Sequence, residues 1–217
     1  MVKHMRYSEA FLTGCDENTE WMLPWFVENY EKHNNTPLVF ANFGISSDML
    51  KYIQTKAVGV LDLSKFKGKG WFLKPKSMVH CPADKTCWID TDCQVHGDIS
   101  SIFEEVEPEK LSMVIDHPWT KRRQEIWHNS GIVAFQGKPQ ILKLWDQQVE
   151  ETTVRGDQEV LHTMLNPITK MSYIKDLPHK YNVLRLDIID GRRPKGELIT
   201  HWTGQKGKDE IRRQMNA

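Results

Sequence analysis

The sequence predicts an α/β protein built on one mixed, mainly parallel sheet with covering helices, and three observations carry that expectation. Short apolar runs and amphipathic stretches alternate from residue 10 to residue 61, the order that strand–helix–strand crossovers produce. The chain has 217 residues, room for one core of ordinary size that needs no covalent staples. Its four cysteines, Cys15, Cys81, Cys87 and Cys93, are too few for a disulfide scaffold.

Each element has its own signal. Ala10-Phe11-Leu12-Thr13 is a short apolar run ended by Gly14 and reads as a buried strand. Asn18 and Thr19 are candidate caps for a helix whose Trp21, Met22, Trp25, Phe26 and Val27 fall at three- and four-residue steps. Pro24 lies near its first turn, where proline costs least. A second strand is expected at 37–41, a turn and helix cap at 44–48, and a third strand at 57–61. Thr86-Cys87-Trp88-Ile89 is a strand that runs straight into Asp90-Thr91-Asp92, and Val95 is followed by a turn at Gly97-Asp98. Residues 98–109 then hold Asp98, Glu104, Glu105, Glu107 and Glu109 without a base. Further strands are expected at 111–115 and 131–135, and helices at 139–150 and 157–165, the first with Ile141, Trp145 and Val149 in one row. No repeat, low-complexity segment or linker divides the chain, so one domain is expected over 1–217.

Charge excludes some functions. The 29 basic and 29 acidic side chains cancel, which argues against a nucleic-acid backbone or an anionic membrane as the main partner. The last 49 residues are locally basic, with eleven Lys/Arg against six Asp/Glu. No apolar run approaches the ~18 residues that span a bilayer, and the N-terminus leads into no signal-peptide core, so a soluble, cytoplasmic chain with reduced thiols is expected.

The most informative segment is Trp88-Ile89-Asp90-Thr91-Asp92. Two carboxylates two residues apart at the end of a buried strand are costly unless something cationic lies between them. In open α/β sheets the carboxyl ends of strands are where ligands bind. A divalent, oxygen-seeking ion such as Mn²⁺ or Mg²⁺ would offset the cost and bridge the carboxylates to a ligand diphosphate. A bare D-x-D triplet also occurs in solvated turns; the apolar strand before it and the Gly97-Asp98 turn after it favour a site.

The stretch from Cys87 to Phe103 resembles the D-x-D segment of GT-A glycosyltransferases, in particular the glycogenin and bacterial lipopolysaccharide galactosyltransferase family. Four more segments agree in order: Phe11-Leu12-Thr13-Gly14-Cys15-Asp16-Glu17-Asn18 with the first strand and nucleotide loop, His128-Asn129-Ser130-Gly131-Ile132 with an N-S-G strand, Gly156-Asp157-Gln158-Glu159-Val160-Leu161 with a G-D-Q-x-x-L helix start, and His201-Trp202-Thr203-Gly204 with an H-x-x-G motif. The resemblance spans residues 11 to about 206. It implies a nucleotide-binding half over about 8–110, a sugar- and acceptor-binding half over about 111–206, and a tail at 207–217.

The resemblance also implies roles. Asp90, Asp92 and His201 would hold Mn²⁺ (or Mg²⁺), imidazole suiting Mn²⁺ better. Thr13, Gly14, Asp16, Trp21, Asp90, Thr91, Ser130, Gly204 and Lys206 would surround a UDP-sugar donor, and Lys74, sixteen residues before Asp90, would contact its phosphates or sugar, with Lys76 the alternative. Asn129, Asp157 and Gln158 would act at the sugar, although Asp157 also suits the N-cap of the helix that follows. The expected activity is transfer of a hexose, from UDP-glucose or UDP-galactose and with retention, to a carbohydrate or glycoconjugate acceptor. Part of the acceptor site could come from a second subunit of a homo-oligomer.

Two departures from the family pattern stand out. The family's phosphate-binding Lys follows the metal His by six residues, and Gly207 stands there, flanked by Lys206 and Lys208; Lys206 is the first choice. No Tyr occupies the first loop to stack on uracil; Thr19 is the nearest match and Trp21 the nearest aromatic. Among the tryptophans, Trp71, Trp88 and Trp145 are expected in the core and Trp119, Trp127 and Trp202 near the sugar. Two other classes fit parts of the pattern: a metal-dependent nucleotidyltransferase, and a non-catalytic nucleotide-sugar-binding protein on a degenerate transferase fold. A zinc site from Cys81, Cys87 and Cys93 with His80 and His96 is a minor reading, because no pair has the short C-x₂₋₄-C spacing.

Overall fold

The computed structural model describes residues 6–66, 70–152 and 154–216. Seven strands form the main sheet: β1 (Tyr7–Cys15), β2 (Leu38–Asn42), β3 (Gly59–Asp62), β4 (Ala83–Ile89), β6 (Leu111–Ile115), β7 (His128–Gln136) and β8 (Ile174–Asp176), in the order β3-β2-β1-β4-β7-β6-β8. β3, β2, β1 and β4 are parallel, β7 runs antiparallel between β4 and β6, and β6 and β8 are parallel again. A second, three-stranded sheet joins β5 (Cys93–Val95), β10 (Ile199–His201) and β9 (Val183–Leu184).

The central strands are nearly continuous apolar runs because both faces of the sheet are covered. Alternation sorts their side chains: Phe11, Phe40, Cys87, Ile89 and Ile132 enter one core, and Leu12, Ala41, Trp88 and Val133 the other. The first core is closed by α1 (Leu23–Glu31) through Phe26 and Tyr30, and lies beneath α2 (Ser47–Gln54). The second is closed by α3 (Lys74–His80), α5 (Gln140–Glu151) and α6 (Asp157–Met164), through Met78, Trp145 and Leu161. Three short helices, α4 (His117–Arg123), α7 (Pro167–Tyr173) and α8 (Arg185–Ile189), and the terminal α9 (Gly204–Met215) complete the chain.

Several local expectations are corrected. The helix expected after Asn18 and Thr19 is a 3₁₀ turn at Glu20–Met22 leading into α1, and neither residue caps it through its side chain. The Asp16 carboxylate organises this turn instead, accepting from the Asn18 amide and the Thr19 hydroxyl, each at 3.1 Å. Asp157 is not an N-cap: Gly156 holds that position and Asp157 is the first residue of α6. Trp88 and Trp145 are core residues as expected, but Trp71 is 46% exposed. All four cysteines are buried free thiols.

Candidate active site

Strand order decides where a site can form. β1 sends β2 to one side and β4 to the other, so a crevice opens at their carboxyl ends, beyond Cys15 and Ile89. A cavity of about 490 Å³ lies there, and its walls include Gly14, Asp16, Thr19, Lys74, Asp90, Thr91, Asp92, Asn129, Ser130, Asp157, Gln158, His201 and Lys208. Residues from both ends of the sequence thus converge on it.

Lys74 is the hub. It is 3% exposed at the first turn of α3, and its Nζ lies 3.0 Å from Asp90 Oδ1, 3.1 Å from Asp157 Oδ2 and 3.1 Å from the Ser130 carbonyl oxygen. Burial works against its charge, but the carboxylates of Asp157 and Asp90 outweigh that and hold its pKa above the ordinary lysine value. Lys76 points elsewhere, pairing with Asp146 and Glu150. Asp90 also accepts from Trp88 Nε1 at 2.6 Å, and the Trp88 ring stacks on Phe43.

His201 faces the other carboxylate. β10 pairs antiparallel with β5 so that His201 stands opposite Cys93, beside Asp92. His201 Nε2 lies 3.1 Å from Asp92 Oδ1 and 3.8 Å from Asp90 Oδ2. Gly131 makes the room: a Cβ there would come within 2.2 Å of the imidazole Cε1. Burial opposes charge on His201, yet Asp92 and Asp90 raise its pKa. Burial likewise opposes charge on Asp92, yet His201 and, beyond it, Lys208 pull its pKa down. Asp90 goes the other way: burial, reinforced by Asp92 and Asp157, raises it in spite of Lys74 and His201.

These residues fit a divalent cation. Two carboxylates lie within 4 Å of one imidazole nitrogen, a hard-to-borderline donor set of the kind Mn²⁺ or Mg²⁺ takes. The buried thiol of Cys93 stands close by, its Sγ within 4.8 Å of a ligand atom of both Asp92 and His201.

A hydrogen-bond frame backs the cavity. Gln158 Oε1 accepts from Asn129 Nδ2 at 3.1 Å and from the Ser130 amide at 3.2 Å, while its Nε2 donates to Asp116 Oδ2 at 3.0 Å. Asn129 also donates to Asp116 at 3.0 Å and accepts from the Gly131 amide and from Asn182 Nδ2, both at 2.9 Å. Asn129 therefore spends all its hydrogen-bonding capacity inside the protein. It frames the site and has none left for sugar hydroxyls. Asp116 (1% exposed) and Asn182 (0%) escape a reading of the sequence, since neither lies in a motif.

Other expectations shift. Thr13 is fully buried and donates to the Ile89 carbonyl at 2.7 Å, tying β1 to β4 beneath the cavity. The Trp21 ring is covered by the Arg212 guanidinium, 4.4 Å from its centroid, and is not part of the cavity wall; Thr19, Phe43 and Trp71 are. Gly204 and Lys206 are exposed outside the cavity, and Lys208 rather than Lys206 lines it. Trp119 and Trp127 line a second cavity of about 420 Å³, which shares Asn129 and Gln158 with the first. Trp202 packs on the core and donates to Gln94.

No protein-family model matches the chain, and no curated protein matches its sequence. Its fold does match solved structures. Galactosyltransferase LgtC, solved in complex with donor and acceptor sugar analogs, superposes with a TM-score of 0.66 at 11% identity, over 95% of this chain and 94% of that one. The apo form of the glycosyltransferase GlyE of Streptococcus pneumoniae TIGR4 gives 0.69 at 17% identity, over 93% of this chain and 55% of that one. A glycosyltransferase involved in glycosylation of the major capsid of PBCV-1 gives 0.63 at 12% identity, over 96% and 99%. The mixed seven-stranded sheet with its flanking helices is thus the GT-A fold that the five motifs imply.

Proposed function

We propose that the chain is a metal-dependent glycosyltransferase that moves a hexose from a UDP-linked donor to a carbohydrate or glycoconjugate acceptor, with retention at the anomeric carbon. One observation carries this reading: Asp90, Asp92 and His201 gather beside Lys74, Asp157 and Gln158 in a single cavity at the carboxyl ends of β1 and β4. Asp90, Asp92 and His201 would hold Mn²⁺ or Mg²⁺. When bound, the ion supplies positive charge against the donor diphosphate.

The chain's own residues do the rest. Lys208, which lines the cavity and whose charge lowers the Asp92 pKa, suits the leaving diphosphate as a second cation. Lys74 is a positioning residue; its charge is spent holding the Asp90 and Asp157 carboxylates in place. Asp157 and Gln158 begin α6 facing the cavity, with the Gln158 amide oriented by Asn129, Ser130 and Asp116. The bond between the anomeric carbon and a diphosphate oxygen breaks, the acceptor hydroxyl oxygen bonds to that carbon, and its proton leaves with the diphosphate. Stabilising the departing charge in a preorganised site is the main source of rate. The second cavity, bounded by Trp119, Trp127 and Arg155, adjoins the donor cavity and suits the acceptor.

Titrating UDP-glucose and UDP-galactose with and without Mn²⁺, while following UDP release, tests the proposal. Metal-dependent binding with slow UDP release is expected. Binding without release would favour a non-catalytic binder, formation of UTP and sugar 1-phosphate when pyrophosphate is added a nucleotidyltransferase, and no binding would sink all three.

A further inference from the structure

His201 has two ring nitrogens, and which of them carries the proton decides what the other can do. The hydrogen-bond frame fixes this from a backbone amide outward. The Gly131 N–H can only donate, and it meets the Asn129 terminal atom at 2.9 Å, so that atom is the carbonyl oxygen. The Asn182 terminal atom 2.9 Å from the same oxygen must then be its NH₂ group. The remaining Asn182 atom is an oxygen, and it faces His201 Nδ1 at 3.1 Å. An oxygen there accepts, so Nδ1 carries a proton. Nε2 is left facing Asp92 and Asp90.

In the neutral ring Nε2 is then a lone pair aimed at two carboxylates, an arrangement that repels unless a cation stands between them. The opposite tautomer would set two acceptors, Nδ1 and the Asn182 oxygen, against each other in a site with no room for water exchange, since Asn182 is 0% and His201 4% exposed. Asn129 cannot turn to relieve this, because Asp116 and Gln158 hold its NH₂ group.

We propose that Asn182 is a positioning residue that holds His201 as the Nδ1–H tautomer and thereby presents Nε2 to a divalent cation shared with Asp90 and Asp92. The cation, and with it the neutral ring, rests on the function proposed above; the hydrogen bond from Nδ1–H to the Asn182 oxygen does not. Partners of this kind, behind a metal-binding imidazole, typically change metal affinity 10–100-fold.

Two measurements test it. In wild-type protein saturated with diamagnetic Mg²⁺, ¹H–¹⁵N correlation spectra should find the ring proton on Nδ1. Calorimetry with Mn²⁺ alone should find binding weakened about 10–100-fold in Asn182→Leu and changed only a few-fold in Asn182→Asp, whose carboxyl, protonated where it meets the Asn129 oxygen, still accepts from Nδ1. A ring proton on Nε2 in the wild type, or wild-type Mn²⁺ affinity in a folded Asn182→Leu, overturns the proposal. Should Asn182→Leu not fold, the wild-type spectrum and Asn182→Asp decide, and an Asp variant with affinity lowered 10–100-fold counts against it. Wild-type protein that binds neither Mn²⁺ nor Mg²⁺ would overturn the proposal and the metal reading with it, leaving only the Nδ1–H hydrogen bond to Asn182.

Discussion

Asp90 and Asp92 are two residues apart and meet opposite conditions. Asp90 ends β4 and leans on Lys74, a cation it shares with Asp157; its pKa is raised by burial and by the neighbouring carboxylates. Asp92 leads into β5 and has His201 nearer to it than to Asp90, with Lys208 beyond; its pKa is lowered despite burial. One cation divided between two acids neutralises neither fully, whereas a nearly dedicated imidazole does. Sequence spacing therefore says little about the electrostatics of a D-x-D pair. The elements brought up against each carboxylate decide it, α3 for one and β10 for the other.

The largest way to break this contrast is to remove the shared cation. Lys74→Met leaves half-buried Asp90 and buried Asp157 without their partner, and urea denaturation should find the protein destabilised by about 3 kcal/mol. A loss below about 1 kcal/mol would mean that the two acids do not depend on Lys74. Next comes the dedicated side: Asp92→Asn should keep the fold and lower Mn²⁺-dependent transfer on the order of 10²–10³-fold, ~2.7–4 kcal/mol in the barrier. Retained transfer in that variant would remove Asp92 from the metal site.

A smaller effect sharpens the same side. Lys208→Ala should weaken UDP-sugar binding by about 1.5–3 kcal/mol in calorimetry. Lys206→Ala should stay within about 0.5 kcal/mol of wild type, and the reverse ranking would return the role to Lys206.

The most gradual effect is in pH. The His201 pKa is raised in the folded protein, so its contribution is fully present below the unfolded value of about 6.5 and is lost as pH rises through the folded value. Asp90, also raised, works in the same direction, since its ionised form is the disfavoured one. Asp92, lowered, contributes above the carboxylate range and loses that only in acid. The melting temperature of chelator-treated protein should therefore fall as pH rises above neutrality, and Mn²⁺ should flatten the fall. A metal-independent profile would count against a cation among these three residues.

Much of the fold was legible because it rests on long apolar strands. β1, β4, β6 and β7 lie where alternation and turn residues put them, as do α5 and α6. The second sheet was not: β5, β9 and β10 have three, two and three residues, too few for a period to show, and their pairing joins positions far apart in sequence. The site divides likewise. Asp90, Asp92, His201, Asp157 and Gln158 sit in motifs and meet in one cavity. Asp116 and Asn182 lie in loops that carry no motif, and only tertiary contact reveals that they are buried and hydrogen-bonded into the frame. Asp157 looked equally good as a cap, because a helix start and an ion pair ask for the same residue type; only Lys74, 83 positions earlier in the chain, tells them apart. For Trp21 an aromatic near the loop suggested a stacking face, but Arg212 from the far end of the chain covers it.

Gly207 bears on how such a site can change by mutation. A Cβ at this position would lie 2.0 Å from the Trp202 carbonyl oxygen and 2.3 Å from its carbon, so the first turn of α9 rests directly on the chain leaving β10. A lysine cannot be introduced there by one substitution without lifting the helix off its seat. A neighbouring register, at Lys208, remains open to a basic residue that faces the cavity. An ancestor or descendant with lysine at 207 would need a compensating shift of α9 at the same time. The route between the two arrangements therefore passes through a poorly packed intermediate, and each tends to persist once reached.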